Sequence, residues 1–207
     1  MITTKNFQAD INNLDALGMM LQLKPTETFE GGTALLLPKT SGPLMHFHPL
    51  QSELFKVLQG ELDVFNGKKW MTLRAGEELY IPKKTPHSFR NNTNEVVVFD
   101  FAVTPKIGLT YLLLTVDELV KSGKIKGRKD FKSMLYMAQA LASFPAVTSN
   151  NWPPDFVIKA LAGISRFCGL SIVREKHRAT YLRPVKLWQA PKKYSSEISS
   201  VLEELLF

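Results

Sequence analysis

Three histidines and one glutamate, in two short segments of the first half of the chain, are the residues best suited to chemistry. His46 and His48 are separated by a single residue, and Glu53 follows soon after them. In an extended strand residues i and i+2 point to the same face, so the two imidazoles would form a two-pronged chelate. An inward Glu53 would lie beside the apolar Phe55, where a buried carboxylate is unfavourable unless a cation compensates its charge. His87, in the second segment, would complete a set of three imidazoles and one carboxylate.

This donor set predicts a divalent transition metal. Imidazole nitrogen with a carboxylate suits Fe, Mn, Ni, Zn or Cu, whereas Mg and Ca prefer oxygen ligands. Four protein ligands in a six-coordinate sphere would leave about two positions for water or substrate. The alternative is that the histidines are hydrogen-bonded polar residues of a β-structure that holds no metal. We favour the metal site, because three histidines stand at ligand spacing with a glutamate.

The segment from Thr33 to Val103 has the pattern of an all-β domain, in which short runs of alternating apolar and polar residues lie between turn residues. The clearest unit is a hairpin in which residues 61–65 and 68–73 flank Asn66-Gly67, a pair that tolerates the positive φ values of a type I′ turn. Further strands are predicted at 33–38, 44–48, 53–58, 78–82, 87–90 and 95–103.

The two histidine segments resemble the paired motifs of the cupin superfamily, G-x5-H-x-H-x3-4-E-x6-G and G-x5-P-x-G-x2-H-x3-N. The residues at the spacing of the first motif are His46, His48, Glu53 and Gly60, and those at the spacing of the second are Gly76, Pro82, His87 and Asn91. Two positions depart from the motifs, because Thr40 stands where the leading glycine is expected and Lys84 replaces the second glycine of the second motif. Neither position is a ligand, so these departures concern turn geometry and substrate identity.

The resemblance implies a mainly β fold, the double-stranded β-helix or jelly-roll barrel, to which we add a C-terminal α-helical extension. We expect a barrel domain at residues 1–104 and a helical region at residues 105–207 that packs on the barrel or on a partner. By resemblance the metal ligands are His46, His48, Glu53 and His87, and the expected assembly is a homodimer formed through barrel edges.

After Thr104 the apolar spacing becomes helical. A short helix is predicted from a capping box at Thr115 and Glu118 to Gly123. Asp130 would cap a second helix reaching about Ser143, with a stripe of Phe131, Met134, Leu135, Ala138 and Leu141. Asp155 would cap a third helix, whose apolar residues are Phe156, Ala160, Leu161, Ile164 and Cys168, the last expected in the core. A final amphipathic helix is predicted from about Ser195.

The positive charge belongs to the second half of the chain. Residues 1–104 carry 10 Lys and Arg against 11 Asp and Glu, a net charge of −1, whereas residues 105–207 carry 16 against 8, a net charge of +8. This asymmetry suggests an anionic partner, and the alternative is a solvated face that maintains solubility. Nucleic acid is the least favoured partner, because no helix-turn-helix signature is present. Peripheral membrane contact is a candidate, since apolar helices adjoin basic clusters at 121–132 and 174–193; the alternative is that these helices pack on protein.

The single cysteine, Cys168, cannot form an intramolecular disulfide, and the N-terminus lacks the pattern of a signal peptide. We therefore expect a cytoplasmic protein, and no stretch is apolar enough for a convincing transmembrane span.

Our first functional hypothesis is an enzyme that acts on a small polar or acidic molecule at the open metal positions. It would be dioxygenase-like with Fe or Mn, or a Lewis-acid isomerase or decarboxylase with Zn, Mn or Ni. Glu53 would double as a proton shuttle. Phe55, Tyr80, Phe89 and Phe101 are candidate pocket walls and equally plausible core residues. The alternative hypothesis is a non-catalytic module that binds or senses a small molecule and whose basic helical half contacts an anionic partner or membrane surface.

Overall fold

The computed structural model describes residues 18–23, 26–127, 129–150 and 153–172. Within these ranges the chain forms ten strands and three helices in the order β1–β9, α1, α2, β10, α3. The strands are β1 (Met19–Leu23), β2 (Glu30–Leu36), β3 (His46–Phe47), β4 (Ser52–Gln59), β5 (Glu61–Phe65), β6 (Trp70–Arg74), β7 (Glu78–Ile81), β8 (Ser88–Arg90), β9 (Val97–Thr104) and β10 (Ser149–Asn150). The helices are α1 (Leu109–Lys121), α2 (Phe131–Ala142) and α3 (Asp155–Phe167).

Two antiparallel sheets form the barrel. One has five strands in the order β1-β2-β9-β4-β7, and the other has three in the order β6-β5-β8. Alternate residues of β4 are buried, which directs Phe55 and Val57 into the interior. Phe55, Phe89 and Phe99 meet there, with ring centroids 5.1 to 6.0 Å apart. The fold is therefore mainly β, as expected, with the interior filled by apolar side chains and a helical region after β9.

Each predicted strand has a counterpart, and the predicted hairpin is β5–β6. The type I′ turn was wrong, because four residues, 66–69, connect the strands. The side-chain Oδ1 of Asn66 accepts hydrogen bonds from the N–H groups of Lys68 and Lys69 at 3.2 and 3.1 Å. Only Gly67 of this loop has a positive φ, at 88°. The asparagine thus caps a wider loop through its side chain. Strands β1 and β10 were not predicted.

Helix α1 begins at Leu109, several residues before the predicted capping box. Its first turn is capped from a distance by the carboxylate of Glu30 on β2, which accepts four backbone N–H groups of residues 107–110 at 2.8 to 3.0 Å. Thr115 lies inside the helix, where its hydroxyl donates to the Tyr111 carbonyl. The predicted end is confirmed, since Gly123 follows the last turn with φ 69°.

Helix α2 begins as predicted, with the side chain of Asp130 accepting the Ser133 N–H. Helix α3 differs in which face is buried, because Ile158, Ala162 and Ser165 are the buried residues. Phe156 and Ile164 of the predicted stripe are exposed, and so is Cys168, which was expected in the core. Periodicity identified the helix but not which of its two apolar faces packs against α2.

The predicted final helix from Ser195 lies outside the described residues. None of the helices that the structure does describe is long and apolar enough to cross a bilayer. Strand β9 ends at Thr104, where the boundary was expected, but β10 of the second half pairs with β3 of the first. The division into domains at 1–104 and 105–207 stays a prediction.

Candidate metal centre

Strand β3 and the residue before β8 bring the three histidines together. His46 and His48 lie two positions apart along β3 and its continuation. The His46 N–H donates to the His87 carbonyl at 3.1 Å, and the His87 N–H donates to the His46 carbonyl at 2.7 Å, which sets these two residues opposite each other. The ring centroids are 4.4 Å apart for His46 and His87, 5.1 Å for His48 and His87, and 5.2 Å for His46 and His48.

Glu53 reaches the same point from β4. It lies on the inner face of that strand with Phe55, and it is buried. Its Oε2 atom is 2.8 Å from Nε2 of His87 and 3.4 Å from Nε2 of His48. The structure therefore brings together all four residues that the sequence predicted as ligands.

Each imidazole is oriented by a backbone carbonyl that contacts Nδ1. The distances are 2.8 Å to Leu44 for His46, 2.6 Å to Val147 for His48 and 2.9 Å to Thr85 for His87. Because a carbonyl oxygen only accepts hydrogen bonds, Nδ1 carries the proton in each ring. In the neutral ring Nε2 then holds a lone pair, which is the atom and the state that bind a metal.

The buried acceptor atoms of this cluster test whether a cation fits. Oε2 of Glu53 and Nε2 of His87 are buried without a hydrogen-bond partner, although they lie only 2.8 Å apart. Two acceptors at this distance repel each other unless a proton or a metal ion lies between or beside them. Ligand atoms of the three histidines lie within 4.8 Å of one another, which is close enough for one ion to reach all three. The residues present therefore fit a transition metal.

The charges of the cluster are strongly coupled. Burial, together with the charges of His87 and His48, lowers the pKa of His46 to about 3. Burial also lowers the pKa of His48, but the close contact with Glu53 and the charge of that carboxylate outweigh it, so the net shift is upward. Burial raises the pKa of Glu53, yet its contacts with His48 and His87 lower it further than burial raises it. Glu53 is thus a carboxylate that needs positive charge beside it.

Residues 32–104 match the family model described as "Cupin domain". This part of the chain is a cupin domain. It contains all four clustered side chains and every strand from β3 to β9, with most of β2. The superfamily predicted from the motifs is confirmed.

Among curated proteins, the chain is 44% identical over 52 residues to "Uncharacterized protein YdbB" of Bacillus subtilis (strain 168), a match that covers 25% of this chain and 46% of that protein. The chain thus spans less than half of the length of this relative.

Two solved structures are similar to part of this chain. TT1209 from Thermus thermophilus is 22% identical, with a TM-score of 0.41, over 43% of this chain and 85% of that one. The Cupin_2 domain of an XRE family transcriptional regulator from Enterobacter cloacae is 21% identical, with a TM-score of 0.39, over 44% of this chain and 99% of that one.

The remaining motif positions of the cupin domain have structural roles. The buried Asn91 donates through Nδ2 to the carbonyls of Leu36, Leu37 and Glu95, and its Oδ1 accepts the N–H and hydroxyl of Thr93. It therefore ties the end of β2 to the connection between β8 and β9.

The motif glycine that Lys84 replaces stands where the backbone is left-handed. Lys84 has φ 63°, and its N–H donates to the carbonyl of His48 at 2.8 Å. The backbone bond holds the turn against a predicted ligand, so the lysine keeps the geometry that glycine would adopt more readily.

The four predicted pocket residues divide between the two faces of the sheets. Phe55 lies deep in the barrel with its ring 6.3 Å from that of His87. Phe101 is paired with Phe55 across β9 and β4 and shares its inner face, and Phe89 packs on Phe55 at 5.6 Å. Tyr80 was placed wrongly, because it pairs with Leu54 on the outer face, is 47% exposed, and donates its hydroxyl to Ser52.

Sequence reasoning missed Val147, whose carbonyl orients His48 although the two residues are 99 positions apart. A backbone carbonyl has no sequence signature. The only available signal was the uncharged stretch around Thr148 to Asn150, which does not itself indicate a strand.

Proposed function

We propose that the cupin domain holds a divalent transition metal through Nε2 of His46, His48 and His87 and the carboxylate of Glu53. We further propose that the protein is an enzyme acting on a small polar or acidic molecule at this site. The observation that carries the proposal is the arrangement of the imidazoles. Each Nδ1 atom contacts a backbone carbonyl, ligand atoms of the three rings lie within 4.8 Å of one another, and Oε2 of Glu53 lies 2.8 Å from Nε2 of His87 and 3.4 Å from Nε2 of His48. Such an arrangement of acceptors needs a cation.

The side chains at this site have different roles. Glu53 stays ionised because its pKa lies well below its usual range, so it is suited to hold positive charge rather than to donate a proton. His46 is the least buried of the three histidines, so a substrate would approach from its side. The buried ring of Phe55 lies 6.3 Å from that of His87 and packs on Phe89, so apolar side chains would exclude water beside His87. A bound metal would supply O2 activation, if Fe or Mn, or polarisation of a carbonyl, if Zn, Mn or Ni.

The test is elemental analysis of the full chain purified without added metal. We expect stoichiometric transition metal in the wild type and its loss in His48→Ala and Glu53→Gln. The matched control is Glu61→Gln, which changes a partly exposed carboxylate of the same barrel, paired with Arg74, and should leave the metal content unchanged. Metal that is substoichiometric and equal in all four proteins would refute the site.

Catalysis needs a second readout beyond metal content. Oxygen uptake, or turnover of small hydroxy, keto or sugar acids, should rise with the metal content of the preparation and vanish in Glu53→Gln. A fully metallated protein that turns over none of these compounds would leave the site as a binding module and exclude the enzyme hypothesis for these classes.

A second candidate function is favoured by the outer face of α3. Phe156, Ala160, Gly163, Ile164 and Phe167 form an exposed apolar stripe along the helix, with Phe156 72% and Phe167 93% exposed. These residues recur at helical spacing and so share one face, while Lys159 and Arg166, seven positions apart, lie along one edge of it. An apolar stripe edged by cations is the pattern of a helix that lies in an anionic membrane surface. We therefore infer peripheral docking of the helical half on anionic lipid.

Vesicle sedimentation tests this second candidate with the full chain. Binding to vesicles of phosphatidylcholine and phosphatidylglycerol, weakened by salt and by Phe167→Ser, is expected, whereas vesicles of phosphatidylcholine alone should bind weakly. Leu50→Ser removes an exposed apolar side chain of the barrel and is the control. Absence of sedimentation would refute docking on lipid, and a homodimer that Phe167→Ser dissociates would show that another copy of the chain covers the stripe. The homodimer through barrel edges stays a prediction.

A further inference from the structure

The second half of the chain borders the metal centre directly through β10. This two-residue strand lies between α2 and α3, yet it pairs antiparallel with β3, with Asn150 opposite His46 and Ser149 opposite Phe47. His46 is also paired with His87 on its other side. The strand that carries His46 is therefore flanked on one side by the barrel and on the other by the helical half.

The carbonyl of Val147 makes the closest contact between the helical half and the site. It accepts the Nδ1 proton of His48 at 2.6 Å, and both residues are buried, at 2% and 3% exposure. The corresponding carbonyls for His46 and His87 come from Leu44 and Thr85, two residues earlier in the same segments. Local chain geometry thus orients two of the imidazoles, whereas the third depends on a distant segment.

That segment is held in place by the ends of two helices. After α2, the N–H groups of Val147 and Thr148 donate to the Phe144 carbonyl at 3.0 and 3.3 Å. At the start of α3, one carboxylate oxygen of Asp155 accepts the Asn150 N–H at 2.9 Å, and the other accepts the hydroxyl of Ser149. Asp155 therefore fixes β10, and β10 fixes the position of the Val147 carbonyl.

We propose that Asp155 is a positioning residue for the metal centre, acting through β10 and the Val147 carbonyl on the orientation and basicity of His48. This inference rests on the proposed function of the four ligands. Hydrogen-bond partners of ligand histidines typically change metal affinity by about 10- to 100-fold when they are lost. Because coupling between sites is reciprocal, whatever binds the helical half and shifts α3 also changes the metal affinity of the barrel.

The first measurement is Zn²⁺ affinity of the full chain by competition with a chromogenic chelator. Asp155→Ala, which removes both contacts with β10, is expected to weaken binding about 10-fold, the lower end of the effect of losing a direct partner, because Asp155 acts on His48 through the Val147 carbonyl. Asp155→Asn keeps one acceptor oxygen and should therefore retain part of the Zn²⁺ affinity that Asp155→Ala loses. Asp130→Ala is the matched control, because Asp130 also holds a helix N-terminus, through Ser133, but does not touch β10. Its affinity should equal that of the wild type even if its thermal stability falls.

The second measurement is independent of metal. In the metal-free wild type, the Nδ1 proton of His48 is buried and bonded, so it should appear as a slowly exchanging imidazole proton in ¹⁵N-edited NMR spectra. In Asp155→Ala this proton should exchange faster, while the Nδ1 proton of His87 should be unaffected. Should Asp155→Ala fail to fold, Ser149→Ala removes one of the two contacts and serves in both measurements.

Unchanged Zn²⁺ affinity and unchanged proton exchange in Asp155→Ala would overturn the inference. If the wild type binds no Zn²⁺, the proposed function is refuted instead. The exchange rate of the His48 Nδ1 proton in Asp155→Ala would then test the positioning role by itself. A loss of affinity as large in Asp130→Ala as in Asp155→Ala would also overturn it, because general destabilisation would explain both.

Discussion

Replacing Glu30 by Gln should destabilise the protein far more than a surface substitution of the same kind. The carboxylate is 1% exposed and accepts N–H groups from Ile107, Gly108, Leu109 and Thr110, the positive end of α1. An amide retains one acceptor oxygen but turns a donor toward the same N–H groups. Hydrogen bonds to a charged group contribute about 1.5 to 3 kcal/mol, and the interaction of a charge with a helix terminus contributes about 0.3 to 2 kcal/mol, so we expect a loss of about 2 to 4 kcal/mol at pH 7.

Urea denaturation of Glu30→Gln and of Glu27→Gln, an exposed glutamate on the same segment, would measure the difference. Although burial raises the pKa of Glu30, the four N–H groups lower it further, below its ordinary value of 4.5. The stabilisation from ionised Glu30 is therefore fully present above pH 4.5 and is lost as the pH falls through the folded pKa. The wild type and Glu30→Gln should converge in acid. A loss of stability near zero at pH 7, or a difference in stability between the wild type and Glu30→Gln that persists in acid, would show that this carboxylate does not hold α1.

Two further predictions concern the cupin domain. Lys84→Gly should raise the free energy of unfolding by about 0.5 to 1 kcal/mol, because relief of the left-handed backbone outweighs the greater unfolded-state entropy of glycine. The control is Lys83→Gly at the neighbouring position, which should not stabilise the protein. Calorimetry of both variants measures the difference, and equal stability of the two would contradict the prediction. Zn²⁺ affinity should fall as the pH drops through the pKa of His48, which is raised above 6.5, because protons compete with the metal for Nε2. Calorimetry in buffers of different ionisation enthalpy should detect the proton that metal binding releases. An affinity independent of pH from about 6 to 8 would contradict the ligand role of His48.

The cluster of candidate metal ligands was predictable because its signal lies in short segments. The i, i+2 spacing of His46 and His48 sets their common face, and an inward carboxylate at Glu53 is hard to explain without a cation. The convergence of His87 on that pair needed the motif, since only the fold places the two segments side by side. Tyr80 shows the limit of such reasoning, because the alternation of β7 allowed either face to be inner until the pairing with β4 was known.

The helical half was less predictable because its restraints come from far along the chain. Helix α1 starts where Glu30 of β2 supplies a cap, and no local residue signals that start. Helix α3 has two apolar faces, so its periodicity could not decide between Phe156 and Ile158 as the buried residue. Long-range carboxylate contacts and the choice between two apolar faces are tertiary effects that overrule local propensity.

These carboxylates suggest how acid would separate the two halves of the protein. Glu30 joins β2 to α1, and Asp155 joins α3 to the strand that borders the metal centre. Burial raises both pKa values, but hydrogen bonds outweigh it, so each lies below its ordinary value of 4.5 or 3.8. The stability that each ionised carboxylate contributes is fully present when the pH is above the ordinary pKa of that group. It is lost as the pH falls through the pKa of the folded state. The apolar rings of Phe55, Phe89 and Phe99 in the barrel have no such dependence, and the pKa of the buried Glu53 beside them lies well below its usual range, so that carboxylate keeps its charge as the pH falls.

On acidification of the metal-free protein we therefore expect the helical half to loosen before the barrel. NMR at stepwise lower pH would show this as broadening of α1 and α3 resonances while those of β4 and β9 remain sharp. Because β10 moves with α3, the Nδ1 proton of His48 should be lost in the same step as the α3 signals and before the Nδ1 proton of His87. Loss of both imidazole protons together with the barrel resonances, in one transition, would mean that the helical half and the cupin domain unfold as a single unit and that these carboxylates do not separate them.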